Sequence, residues 1–177
     1  MHQQLAPPPR LMKPTVTVRE SWLAGERASR ALDSGPTDVL DQAESDFCRF
    51  VAVRQGIRVL WGVPSTVWWY ISGDLFIGEI VIRHQLTPEL ERTGGHIGYE
   101  IAPAWRRQGH ATAMLAEALV ECRRLGLAKV LLTCDAANEG SRRVILANSG
   151  FPDISLGGQD RFWIDLGGQP GQSGGQS

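Results

Sequence analysis

HIGYEIAPAWRRQGHATAMLAEALVECRRLGLAKVLLTCD, residues 96–135, holds a strand, a helix and a second strand in close succession. Its start, HIGYEIAP, reads as a strand that Pro103 ends. From Ala111 to Leu125 the apolar residues recur at helical spacing, with Met114, Leu115, Ala118, Leu119 and Cys122 on one face. Gly126 supplies the stop, and KVLLTCD is a short buried strand. A strand–helix–strand unit of this kind implies one parallel pair joined by a right-handed crossover. Between the first strand and the helix lies RRQGHAT, residues 106–112. A helix N-terminus presents unsatisfied N–H groups and the positive end of the helix dipole. Gly109 lets the backbone turn sharply and come close to a ligand, Ala111 is small, and Arg106 and Arg107 add positive charge. Together they make a diphosphate site without a nucleotide-specific side chain. There is no Gly-Lys-Ser/Thr and no G-x-G-x-x-G, so neither nucleotide signature is present. The plainer alternative is a connecting loop with solvated arginines.

Working outward, STVWWYIS and LFIGEIVIRHQL, split by the turn signal Gly73-Asp74, read as a hairpin over residues 66–84. Upstream, TVTV at 15–18 is β-like. RESWLAGERASRAL is helical, and so is DVLDQAESDFCRFVAVRQG, with Asp38 as a cap. Downstream, EGSRRVILANSG reads as a helix and DRFWIDL as a last strand. The order β-α-α-β-β-β-α-β-α-β predicts an α/β (α+β) fold: a mixed, mostly antiparallel sheet with a splayed parallel pair and flanking helices. Such a sheet opens where strands part, and ligands favour that opening. Residues 1–14 read as a flexible tail, 15–166 as one domain, and 167–177, rich in Gly, Gln and Ser, as a disordered tail.

The chain has 177 residues, enough for one domain with a real core. A net charge of −1 provides no field to recruit nucleic acid or an acidic membrane surface. No run approaches the roughly 20 apolar residues of a membrane span, and the N-terminus does not read as a signal peptide. Three widely spaced cysteines, Cys48, Cys122 and Cys134, lack metal-ligand spacing and fit a reducing, cytoplasmic setting. We expect no metal, no nucleic acid and no membrane partner, and a monomer or homodimer.

The run from Gly94 to Phe151 resembles the acetyl-CoA-binding half of the GCN5-related N-acetyltransferases (GNAT). The matching pieces are the strand ending IAP, the R-x-x-G-x-A loop as Arg106, Gly109 and Ala111, the amphipathic helix, VLLTCD, and Asn138 with Ser141 opening the next helix. VPSTVWWYISGDLFIGEIVIRH followed by GGHIGY is similar to a branch of predicted bacterial acetyltransferases. The resemblance covers 60–155 well and 15–60 loosely. It implies acetyl-CoA as acyl donor, with its diphosphate on the loop and helix start at Arg106, Arg107, Gln108, Gly109, His110, Ala111 and Thr112. It places the pantetheine arm along Ile101 and Ala102, and Asn138 near the pantetheine or ribose. It implies acetyl transfer to a primary amine of a small molecule or protein by direct attack.

The amine needs a base. Candidates are Glu79, His84, His96 and Glu100, with Glu79 ranked below the others. His84 ends one strand and His96 begins the next, so their imidazoles are expected to face each other near the cleft mouth, as a proton relay or merely as anchors of the 85–95 loop. A bulge is expected in the cofactor strand. The tyrosine that many family members carry seven residues after the asparagine is Ile145 here. The usual acid is therefore missing, and Ser141 is left as a hydrogen-bonding partner for the sulfur. Two rival readings stay open: a non-catalytic acyl-CoA-binding module of the same fold, and a domain in which 106–112 is only a connector.

Overall fold

The computed structural model describes residues 5–33 and 38–167. In chain order it contains β1 (Arg10–Met12), α1 (Arg19–Asp33), α2 (Asp38–Ser45), α3 (Phe47–Ala52), β2 (Ile57–Leu60), β3 (Val63–Ser72) and β4 (Leu75–Arg83). Then follow α4 (Pro88–Arg92), β5 (Ile97–Ile101), α5 (His110–Arg124), β6 (Lys129–Asp135), α6 (Glu139–Ala147), β7 (Phe151–Leu156) and β8 (Gln159–Asp165). The hairpin, the long helix and the strand KVLLTCD fall where the residue pattern predicts them.

Several elements differ from the sequence reading. TVTV is not a strand: Val16–Val18 is a 3-10 turn, started by the Thr15 hydroxyl accepting the Thr17 N–H. The long second helical pattern is cut in two at Asp46. There the carboxylate accepts the Arg49 N–H at 2.9 Å and caps α3. Residues 10–12, inside the segment read as a tail, pair with Trp69–Ile71 of β3. The Leu11 N–H donates to the Glu117 carboxylate at 2.8 Å, and the Ser72 hydroxyl donates to the Pro7 carbonyl. The outer parts of both predicted tails, 1–4 and 168–177, lie outside the described residues. β2 and β7 are additional edge strands, β7 carrying Pro152 where an edge tolerates a missing donor.

The strands form two sheets rather than one. The first runs β1-β3-β4-β5 with β2 also on β3, and the second runs β6-β8-β7. All pairings are antiparallel. The expected parallel partners, β5 and β6, meet at one point. The His96 N–H donates to the Leu131 carbonyl at 2.7 Å, and His96 Nδ1 accepts the Leu131 N–H at 2.9 Å. An imidazole thus stands where a second backbone group would continue the ladder, and the strands belong to separate sheets beyond it. The expected bulge is absent from β5, whose register with β4 is unbroken from Ile82↔Ile97 to Gly78↔Ile101. It lies instead between β3 and β4 at Tyr70/Ile71.

Two cores sandwich the first sheet. On one face α5 packs Met114, Leu115, Ala118 and Cys122 against Ile80, Ile82, Ile97 and the second sheet. On the other, α1 and α3 bring Trp22, Phe47 and Phe50 against Trp69 and Phe76. The Trp22 and Phe50 rings lie 4.6 Å apart, and Trp69 meets Phe76 edge-on at 5.4 Å. No described helix is long and apolar enough to cross a membrane.

The junction at His96 requires close backbone approach. Gly95 has φ +60°, and a Cβ there would run into the Leu131 carbonyl oxygen. Gly126 has φ +80° but open space around it. Urea unfolding is therefore expected to show Gly95→Ala costing about 3 kcal/mol or more, strain and clash together, against about 1 kcal/mol for Gly126→Ala, which carries backbone strain alone.

Candidate functional site

Two clefts flank β5, and Glu100 lines both. The larger, about 780 Å³, lies between the end of β5, the 105–112 loop and the start of α6. The alternation of the β4–β5 ladder fixes which backbone groups face it. The Ala102 N–H donates to the Ile77 carbonyl and the Arg83 N–H to the His96 carbonyl, so even-numbered residues of β5 bond β4. The backbone groups of Tyr99 and Ile101 consequently point to the open side. There the Ile101 carbonyl already accepts Arg106 Nε at 2.9 Å, leaving the Ile101 N–H and the Tyr99 groups as an edge for an amide-bearing chain. Ala102 does not join them: it is buried in the aromatic core, its N–H bonds Ile77, and its carbonyl accepts the Trp105 N–H.

The loop read as a diphosphate cradle lies at the mouth of this cleft. Gly109 is the N-cap of α5 in left-handed conformation, φ 84°, with no side chain capping the helix. Arg107 is also left-handed, φ 63°, a conformation that a non-glycine residue holds only where its loop imposes it. The N–H groups that begin α5 have no intrahelical acceptor, and Arg106, Arg107, His110, Ala111 and Thr112 line the cleft around them. Gln108 turns its side chain back onto the Ala104 carbonyl. Asn138 lines the opposite wall and caps α6, its Oδ1 accepting the Ser141 N–H at 3.0 Å. An uncapped helix start, two arginines and an open strand edge fit a diphosphate followed by an amide-rich arm.

Across this cleft Tyr99 Oη and Ser141 Oγ lie 2.8 Å apart. Burial pushes the Tyr99 phenol up to about 12 against the lowering effect of that bond, so it stays a neutral donor. The sequence carried no local sign of this pair, whose members are 42 residues apart. Ser141 thus lines the cleft, and with it Tyr99, which the reading of Ile145 left aside.

The smaller cleft, about 450 Å³, lies on the face of β4 and β5 that carries Glu79 and Glu100. These two stand directly opposite in the ladder, where like charges repel. Glu79 accepts Trp69 Nε1 at 2.7 Å. Burial raises its carboxyl above the usual range despite that bond, and the nearby Glu100 pushes the same way. Both effects favour the protonated form of Glu79. Glu100, exposed and shared between the clefts, stands where an acceptor in one would meet a ligand in the other.

The histidines do not face each other. His84 Nε2 pairs with the Thr66 hydroxyl at 2.8 Å, on the β3 side. His96 is buried against Leu131, and burial, with Arg83 nearby, lowers it to about 4. Neither lines either cleft. Each ring nitrogen that is engaged is engaged with a neighbouring strand.

A family model described as an acetyltransferase (GNAT) domain matches residues 15–151. A search of curated proteins finds no match. Among solved structures, RimL, a ribosomal L7/L12 alpha-N-protein acetyltransferase in complex with coenzyme A, is similar with a TM-score of 0.64 at 12% identity, over 94% of this chain and 98% of its own. Mycobacterium smegmatis RimJ, in complex with a CoA disulfide, follows with 0.62 at 17%, over 88% and 80%. The microcin C7 self-immunity acetyltransferase MccE, in complex with acetyl-CoA and AMP, gives 0.57 at 12%, over 90% and 93%.

The raised Glu79 has a consequence for stability. Its folded state favours the protonated form, so its contribution is full below the unfolded value of about 4.3 and is lost as pH rises through the higher folded value. Thermal unfolding is expected to find Glu79→Gln more stable than wild type at pH 7.5, with the difference vanishing near pH 4. A difference that does not change with pH would mean that folding does not shift the Glu79 carboxyl.

Proposed function

Because the chain belongs to the GNAT acetyltransferases, we propose that it transfers the acetyl group of acetyl-CoA to a primary amine, of a small molecule or a protein, by direct attack of that amine. The observation that carries this reading is Glu100, which alone among the described residues lines both clefts. Acetyl-CoA supplies the acetyl thioester, and the products are an N-acetyl amine and free CoA.

The chain's own groups take complementary parts. The amides at Gln108–Thr112, with Arg106 and Arg107, hold the diphosphate. The open edge of β5 at Tyr99 and Ile101 orients the pantetheine arm, with Asn138 on the far wall. Glu100 accepts the proton that the amine sheds, and Glu79 opposite, whose protonated form burial favours, leaves that role to it. The Tyr99–Ser141 hydroxyl pair donates to the sulfur as it leaves. His84 and His96 act as positioning residues.

The competing reading as a non-catalytic acyl-CoA-binding module drew on the missing tyrosine at position 145. Tyr99 beside Ser141 supports the catalytic reading instead. Both clefts are built by one chain, so a monomer suffices, with a homodimer as the alternative. All three thiols are free, Cys48, Cys122 and Cys134, which supports a reducing, cytoplasmic setting.

Calorimetric titration with acetyl-CoA is expected to show binding that Gly109→Glu weakens at least tenfold, since the substitution strains the left-handed N-cap and brings a carboxylate to the diphosphate. With an amine that wild type acetylates, Glu100→Gln is expected to lower kcat by about 100-fold or more while leaving the acetyl-CoA affinity unchanged. An unchanged kcat would remove Glu100 as the base. Absence of acetyl-CoA binding by the folded wild type would remove the acetyltransferase reading itself.

A further inference from the structure

The smaller cleft carries charges of both signs, and only some of them are paired. Glu26 and Arg30, on its α1 side, form an ion pair at 2.6 Å and satisfy each other. Arg54 and Arg58 also line the cleft, and neither has a carboxylate within ion-pair distance among the described residues. Arg54 lies over the Phe50 ring at 3.4 Å and donates to the Phe50 carbonyl at 3.2 Å. Burial is the largest influence on it, Glu79 and Glu26 act on it only at longer range, and Arg58 repels it. A half-buried guanidinium held by a ring and one carbonyl, with a second guanidinium beside it, is a costly arrangement unless an anion sits against both. The same cleft also holds the Glu79–Glu100 pair at the β4–β5 junction. The indoles of Trp22 and Trp61 also line it, and Trp61 is 57% exposed.

We infer that the acceptor is a primary amine that also bears a carboxylate: the amine lies at Glu100, beside the acetyl group, and the carboxylate lies on Arg54 and Arg58. This rests on the reading of the cleft as the acceptor site. The shared chemistry has two sources, the α-carboxylate of a free amino acid and an acidic side chain close to the amino terminus of a peptide. A volume of about 450 Å³ admits either. A simple polyamine would leave both arginines without a counter-ion, so it is disfavoured.

Trp22 and Trp61 report on the cleft directly, so binding can be read without turnover. The full chain, saturated with CoA, is titrated by tryptophan fluorescence with four ligands: an Ala-Glu dipeptide amide, the matching Ala-Gln amide, free glutamate, and glutamine amide. The expected result is at least tenfold tighter binding of a carboxylate-bearing member than of its neutral partner. The pair that shows the preference identifies peptide or free amino acid as the source. Arg54→Gln and, separately, Arg58→Gln should each shrink the ratio severalfold, the second variant guarding against a packing defect where Arg54 leaves Phe50. Equal affinities within both pairs, no binding of any of the four, or a ratio that survives both substitutions would overturn the inference. If the preference is present but no acetylated amine forms from acetyl-CoA, the cleft assignment stands and the transfer reading fails.

Discussion

The two bonds between His96 and Leu131 are the constraint on which the rest of the site depends. They fasten the start of β5 to β6 and stop the pairing there, so that two sheets diverge where one continuous sheet would have closed the gap. The imidazole can accept the Leu131 N–H only on an unprotonated Nδ1, and its lowering to about 4 keeps it so throughout the neutral range. Arg83 braces the same corner, donating to the carbonyls of Gly94 and Gly95. Gly95 supplies the clearance that the junction needs.

From that junction onward the chemistry is a matter of which side of β5 each residue occupies. Tyr99 and Ile101 turn toward α5 and the larger cleft, and Glu100 turns toward Glu79. Because the strand is short and unbulged, consecutive residues divide the work: one side offers an open backbone edge and a phenol, and the other a carboxylate. The cradle at Gly109 and the charged cleft around Arg54 and Arg58 lie at either end of this division.

Much of this was legible in the sequence, for stated reasons. The cradle depends on local features: a glycine able to adopt positive φ, a helix start and adjacent arginines. The hairpin and α5 follow from periodicities of two and 3.6. What escaped depends on distant partners. His84 and His96 look equivalent at two facing strand ends, yet one bonds Thr66 and the other Leu131. Tyr99 gains its place only because α6 folds back to bring Ser141 within 2.8 Å. Glu79 ranked low because it alternates less cleanly with the apolar Ile80 and Ile82 of its strand. The unbroken β4–β5 register sets it opposite Glu100, and that register is the signal that could have found it. Asp46 reads as one more polar residue in a helical pattern, but its carboxylate competes for a backbone N–H and starts a new helix.

β5 stands between two clefts, with Glu100 on one side and Tyr99 on the other. A crystal structure of the chain with bound CoA would show whether the reaction is built around that strand. The account predicts the diphosphate on the amides of Gln108–Thr112, the pantetheine arm along Tyr99 and Ile101, and the sulfur within reach of the Tyr99–Ser141 hydroxyls with Glu100 beside it. CoA bound elsewhere, or β5 and β6 joined in a continuous ladder through that space, would contradict it.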